Sequence, residues 1–308
     1  MHSHFLYSSI NNKIFCARLD EQELYNTVIE RVRNYAYLMR LDKPIGTLLL
    51  LWPTLCALLL ASEASVDMET IWLFCLGAFF ARSMGCVIYD FFDKDIDQKV
   101  LRTSQRPIAS GKVSSFEALV LFGFLSIPSI FILFQLNELS IYMGLGAALL
   151  ILLYPLAKRF LAIPQMILGL AFSFGIPIAF ASQDNLSLIT WVIFLANFFW
   201  VIAYDTVYGM IDAADDEKLN IGNSARYFGR RKEKWIFLLG LAHLLIYFFV
   251  GLSLNLDLSF FFFLSLCFGI VFFQNFQINL GLRQIYLTIF KGNNWIGVFL
   301  FFGILFGF

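Results

Sequence analysis

The sequence predicts an all-α integral membrane protein with nine transmembrane helices, and three observations carry that prediction. Of 308 residues, 59% are hydrophobic and 14% charged, where soluble domains hold about 45–50% and about 25%. Mean hydropathy is +0.75. Nine apolar runs are long enough to cross or nearly cross a bilayer. The segments between them alternate in charge, and one missed or extra span would break the alternation.

In order, the runs cover residues 45–62, 70–90, 116–136, 139–156, 164–182, 187–211, 234–253, 257–277 and 291–308. The odd-numbered connections carry Glu63, Asp67 and Glu69, then Glu138, then Asp184, then Asp257, with no Lys or Arg. The even-numbered ones carry Lys94, Lys99, Arg102, Arg106 and Lys112, then Lys158 and Arg159. Lys218, Arg226 and the Arg230–Lys234 group follow, and then Arg283 and Lys291. The positive-inside rule puts the amino terminus and the even-numbered connections in the cytoplasm. Residues 1–34 read as a polar N-terminal extension without a signal-peptide pattern, and 35–308 as a single transmembrane domain.

The 37 phenylalanines suit a lipid-facing surface. Formal net charge is zero, so composition gives no reason to expect nucleic acid or an acidic partner; membrane lipid is the expected surroundings. Cys16, Cys56, Cys75, Cys86 and Cys267 form no CxxC pair, and four lie in apolar runs, which fits inert buried thiols. His2 and His4 read as part of a polar tail.

The second run ends in Tyr89-Asp90-Phe91-Phe92-Asp93-Lys94-Asp95-Ile96-Asp97, with four carboxylates in eight residues. Part of it returns 115 positions later as Tyr204-Asp205, with Ile211-Asp212 at the matching offset, and Asp215 and Asp216 beyond. Where helix continues, Asp90, Asp93 and Asp97 share one face, and Asp95 points elsewhere. Asp205 and Asp212 share a face too, with Asp216 one turn further. Like charges so spaced repel, so each cluster calls for a cation. Oxygen-only donors suit Mg²⁺, which takes one or two carboxylates plus phosphate oxygens. Both clusters fall at cytoplasmic helix ends. The bland alternative is a solvated membrane boundary, and the paired spacing on one side weighs against it.

Arg102, Arg106, Lys158 and Arg159 follow these helix ends, and arginine forks match phosphate oxygens two at a time. Arg82 differs because it sits inside the second run, where a charge costs about 2.5–3.5 kcal/mol to insert. It lies eight residues before Asp90 on roughly the same face. Spacing alone leaves two readings open, a substrate-carboxylate site or a structural ion pair.

Several ordered stretches resemble the UbiA-type membrane prenyltransferases, and among them the bacterial 4-hydroxybenzoate polyprenyltransferases. They are Arg40-Leu41-Asp42-Lys43-Pro44-Ile45-Gly46, Leu51-Trp52-Pro53-Thr54, Gly85-Cys86-Val87, Arg102-Thr103, Arg106-Pro107, Ser110-Gly111, Tyr154-Pro155, Lys158-Arg159, Pro164-Gln165 and Ala203-Tyr204-Asp205-Thr206. The resemblance implies a nine-helix bundle around a central cavity. It implies Mg²⁺ held by Asp90, Asp93, Asp97, Asp212 and Asp216, with Asp205 and Arg159 lining the site. It implies that Arg82 holds the carboxylate of an aromatic acceptor. The expected reaction moves a polyprenyl group from polyprenyl diphosphate to the ring of 4-hydroxybenzoate, a step of ubiquinone biosynthesis in a bacterial inner membrane.

The chain departs from the family pattern at Tyr89, where Asn is usual, and at Ala213 and Ala214, where Arg and an acid are usual. It also departs in the loop Asn220-Ile221-Gly222-Asn223-Ser224. These changes fall on neighbours of the aromatic pocket or shape the loop. A different acceptor is the nearest alternative. A non-catalytic membrane protein or carrier that kept the metal site is another, although spans three, seven, eight and nine offer almost no polar path.

Overall fold

The computed structural model describes residues 25–308. His2, His4, Cys16 and most of the polar extension lie outside the described residues. A first helix, α1, covers residues 25–38 and so runs across the boundary expected at residue 34. Its Tyr35 and Leu38, with Met39 just beyond, pack against Val87 and Ala118. Arg31 Nη1 reaches Glu117 at 2.6 Å.

Then come α2 (Ile45–Ala61), α3 (Met68–Asp97), α4 (Ser115–Leu133), α5 (Glu138–Ala157), α6 (Gln165–Ser173) and α7 (Gly175–Ser182). After these come α8 (Leu188–Lys218), α9 (Ser224–Phe228), α10 (Lys232–Ser253), α11 (Leu258–Asn279) and α12 (Tyr286–Gly307). Among the described residues, eight helical stretches of at least 18 residues are apolar enough to cross a membrane, with α6 and α7 counted as one, and the shorter α2 adds a ninth. The chain is therefore an all-helical, multi-pass membrane protein, and each predicted run has its helix. The fifth run is the irregular one, interrupted at Phe174.

Polar caps start several spans at the expected places. Asp67 accepts from Thr70 N at 2.8 Å before α3. Ser114 and Glu117 form a capping box before α4, and Asn137 caps α5. Each satisfies N–H groups that the first helical turn leaves unpaired.

The main core joins α2, α7, α8, α10, α11 and α12 around the buried side chains of Trp200, Tyr247, Phe180 and Phe260. Phenylalanine is thus used on both sides of the bundle, since Phe124, Phe131, Phe249 and Phe262 are exposed. Cys56, Cys86 and Cys267 are buried free thiols and Cys75 is partly buried. Two helices stand out by length. α3 has 30 residues and α8 has 31, about 45 Å each at the α-helical rise.

Candidate active site

The end of α3 stays helical through Asp97, which brings Asp90, Asp93 and Asp97 onto one buried face at 1%, 0% and 4% exposure. Asp95, off that face, is exposed. Burying three carboxylates requires cations, and distant parts of the chain supply them. Arg40 Nη2 lies 2.7 Å from both Asp90 oxygens. Arg106 Nη1 bridges Asp90 Oδ1 at 2.9 Å and Asp97 Oδ2 at 2.8 Å. Lys158 Nζ pairs with Asp93 Oδ2. Asp93 Oδ1 is buried without a hydrogen-bond partner.

Arg102, in the turns after α3, forks onto both oxygens of Asp212 on α8 and donates to Tyr208 Oη at 2.7 Å. Asp216 Oδ2 accepts from Asn223 Nδ2 at 2.6 Å, and the same nitrogen donates to Gly209 O at 2.9 Å. Asp215 turns away to Lys218.

The departing loop now has a physical account. Gly222 N donates to Lys158 O at 3.0 Å, so the turn after α8 lies flat against the turn after α5. A Cβ on Gly222 would sit 1.9 Å from Leu161 O, and that contact is backbone, which cannot swing aside. Gly222→Ala is therefore expected to destabilise the protein by about 1–3 kcal/mol, the usual range for overpacking. A thermal unfolding midpoint in detergent equal to that of the unaltered protein would refute this.

One cavity of about 1150 Å³ joins these groups. Its charged wall includes Arg40, Asp90, Asp97, Arg102, Arg106, Lys158, Asp212 and Asp216. Its apolar wall includes Leu49, Phe74, Leu133, Ile151 and Leu168. Tyr89, Tyr154, Tyr204, Asp205 and Tyr208 also line it.

Arg82 lines the cavity as well, beside the Phe172 ring at 5.7 Å. Its Nε is buried without a hydrogen-bond partner. Among the described residues it forms no ion pair, so the structural-pair reading of Arg82 is not what the fold builds. Gly46 makes the room, because a Cβ there would lie 2.7 Å from both Nε and Nη2 of Arg82.

Two predicted site residues are off the cavity wall, Asp93, which is fully buried, and Arg159. Arg159 donates from Nη2 to Phe92 O at 2.7 Å. It neighbours Lys158 in sequence, and adjacent side chains just after a helix end point in different directions. Ala213 and Ala214 are off the wall too. Sequence reasoning passed over Arg40, Gln165, Tyr208 and Asn223 as site residues. Arg40 opens the Arg40-Leu41-Asp42-Lys43-Pro44-Ile45-Gly46 stretch, but nothing in its spacing ties it to Asp90.

The five acids expected to bind metal supply only oxygen donors, which fits Mg²⁺, and Asp93 Oδ1 is a buried oxygen with coordination capacity to spare. No group of three acids converges into a metal-ligand cluster among the described residues. Asp90, Asp93, Asp97 and Asp212 are turned instead to guanidinium and ammonium groups, and Asp216 to the Asn223 amide.

The bundle and its two-part chamber define a membrane protein built to hold an anionic head and an apolar body in one space. The chain belongs to the UbiA prenyltransferase family and is a membrane prenyltransferase: residues 50–284 match that family's model. A 4-hydroxybenzoate octaprenyltransferase from Vibrio cholerae serotype O1 is 44% identical over 89% of this chain and 97% of its own. Two archaeal structures share the fold. A UbiA homologue from Aeropyrum pernix K1 superposes with a TM-score of 0.74 at 21% identity, over 84% of this chain and 97% of its own. A UbiA homologue from Archaeoglobus fulgidus bound to GPP and Mg²⁺ gives 0.70 at 20% identity, over 89% and 100%.

Proposed function

We propose that the chain transfers a polyprenyl group from a polyprenyl diphosphate to the ring of 4-hydroxybenzoate, a step of ubiquinone biosynthesis. The observation that carries this reading is Arg82, a cation on the cavity wall with no ion pair among the described residues, set apart from the basic groups gathered at the acidic helix ends. An acidic aromatic acceptor answers the lone cation, and a diphosphate answers the gathered ones. The name of the Vibrio cholerae relative supports the same pair of substrates.

In this reading Arg40, Arg102, Arg106 and Lys158 face the diphosphate oxygens, and Asp90, Asp93, Asp97, Asp212 and Asp216 would hold Mg²⁺. Bound there, the ion supplies charge neutralisation that makes diphosphate a better leaving group. The archaeal relative bound to GPP and Mg²⁺ supports this assignment. Arg82 orients the acceptor by its carboxylate. The bond from the allylic carbon to the diphosphate oxygen breaks, and a bond forms to the ring carbon ortho to the phenol hydroxyl. The ring proton passes to a cavity carboxylate, for which Asp205 is available, since it forms no ion pair among the described residues. The apolar wall keeps water from the cation-like carbon. The acid-bearing helix ends face the cytoplasm, and the membrane is a bacterial inner membrane.

Membranes containing the protein, given Mg²⁺, a long polyprenyl diphosphate and 4-hydroxybenzoate, are expected to yield the 3-prenylated acid. A protein that binds diphosphate and metal yet yields none of it would overturn the acceptor assignment.

A further inference from the structure

We infer that Tyr89 is a positioning residue for Lys158: it fixes that ammonium at the diphosphate end of the cavity. This rests on the proposed reaction and gives the departure at Tyr89 a different meaning from the one its sequence position implies.

The geometry runs as a chain of contacts. The Tyr89 ring stacks on Tyr154, with centroids 5.3 Å apart and planes 22° apart. Lys158 Nζ lies 4.9 Å from the Tyr89 centroid and Arg106 Cζ lies 5.9 Å from it. Lys158 Nζ also approaches Tyr89 Oη at 3.3 Å. The ring is thus stacked on an aromatic neighbour with two cations within 6 Å of its centroid, and its partly exposed edge lines the cavity. What it offers is a negative quadrupole and a hydroxyl oxygen, both of which attract an ammonium.

Lys158 needs such a clip. A lysine head is a point charge on a flexible four-carbon stem, and no planar fork fixes its direction. Here its backbone is tied by Gly222 N–H at its carbonyl. Its head is tied by Asp93 on one side and Tyr89 on the other. With Asp93 alone, the ammonium would keep its charge partner but lose its aim into the cavity. Tyr154, four residues before Lys158 on the same face of α5, stacks under Tyr89 and completes the clip.

The test uses the full-length protein in detergent with Mg²⁺ and inorganic pyrophosphate as the probe, followed by calorimetric titration. Tyr89→Leu removes ring and hydroxyl together, and is expected to weaken pyrophosphate binding about tenfold. Tyr89→Phe keeps the ring and is expected to weaken it no more than about threefold. Lys158→Ala should weaken binding at least as much as Tyr89→Leu. Adding Tyr89→Leu to Lys158→Ala should then change nothing further, because the two act through one ammonium. In turnover with Tyr89→Phe, the KM for 4-hydroxybenzoate should stay within twofold of its unaltered value. Multiplying effects in the double variant would overturn the inference. So would a shift in acceptor KM with pyrophosphate affinity unmoved. The binding arm needs no acceptor, so failure to prenylate 4-hydroxybenzoate would overturn the proposed reaction while leaving this coupling standing or falling on its own.

Discussion

Replacing Arg106 with Ala is expected to lower thermal stability sharply and to abolish most turnover. Arg106 is a single guanidinium shared by two buried carboxylates, Asp90 and Asp97. Its removal leaves Asp97 without its ion-pair partner and Asp90 with only Arg40. Breaking a buried pair by deleting one member costs about 3–5 kcal/mol, because the remaining charge keeps its desolvation and loses its attraction. Turnover should fall about 100-fold or more, the usual loss when one donor to a developing anion is removed. The sign of a further effect makes the test specific. Millimolar Mg²⁺ should raise the unfolding temperature of Arg106→Ala more than that of the unaltered protein, since the freed carboxylates gain a cation. Arg106→Lys should fall between the two, keeping the charge but not the fork. An unfolding temperature for Arg106→Ala that matches the unaltered protein would refute the role given to this residue.

Arg82→Ala should do the opposite to stability. Arg82 has a buried, unpartnered Nε and no carboxylate partner among the described residues. A charge inside a membrane span costs about 2.5–3.5 kcal/mol, and the fold offsets it only through the Phe172 ring and the charge of Asp205, with no ion pair. Removing it should leave the unfolding temperature level or higher. The loss should appear in acceptor recognition. A hydrogen bond to a charged group is worth about 1.5–3 kcal/mol, so the KM for 4-hydroxybenzoate should rise about 10- to 100-fold. The KM for the prenyl diphosphate should stay within about twofold, because the charged wall that faces it is intact. Equal rises in both constants would remove Arg82 from the acceptor site. Taken together, the two arginine variants separate a cation that holds the fold from one that is held by it.

Much of the site could be read from local spacing, and what could not be read came from long-range contacts. The three- and four-residue steps between Asp90, Asp93 and Asp97 put them on one face as soon as the helix continued, and it does. The alternation of charge between spans fixed the count of nine. By contrast, Arg40 reaches Asp90 across fifty residues of chain. It does so from a left-handed backbone position, φ 61°, just after α1. Few residues other than glycine adopt that conformation, and no periodicity announces it. Asn223 and Gln165 are comparable. Asn223 holds Asp216 from the following loop, and Gln165 accepts from Ser224 N at 3.0 Å across 59 residues. The placement of Arg159 away from the cavity and the helix break at Phe174 also depend on packing that a one-dimensional pattern does not contain. The family resemblance supplied Mg²⁺ as the expected partner of these acids, but not which basic side chain meets which carboxylate.

The two unusually long helices have one more consequence. At about 45 Å each, α3 and α8 exceed the roughly 30 Å of hydrocarbon in a bilayer by about 15 Å. Their surplus turns are the ones that carry Asp93, Asp97, Asp212 and Asp216. With those turns at the proposed cytoplasmic surface, one chamber straddles a phase boundary. In the proposed reaction the cation enters and the released diphosphate leaves through water, while the prenyl chain arrives and leaves as a solute of the bilayer. For the proposed reaction, the concentration that governs saturation by the prenyl donor is its mole fraction in the membrane. Diluting the lipid phase and diluting the aqueous phase are then separate operations on the same enzyme.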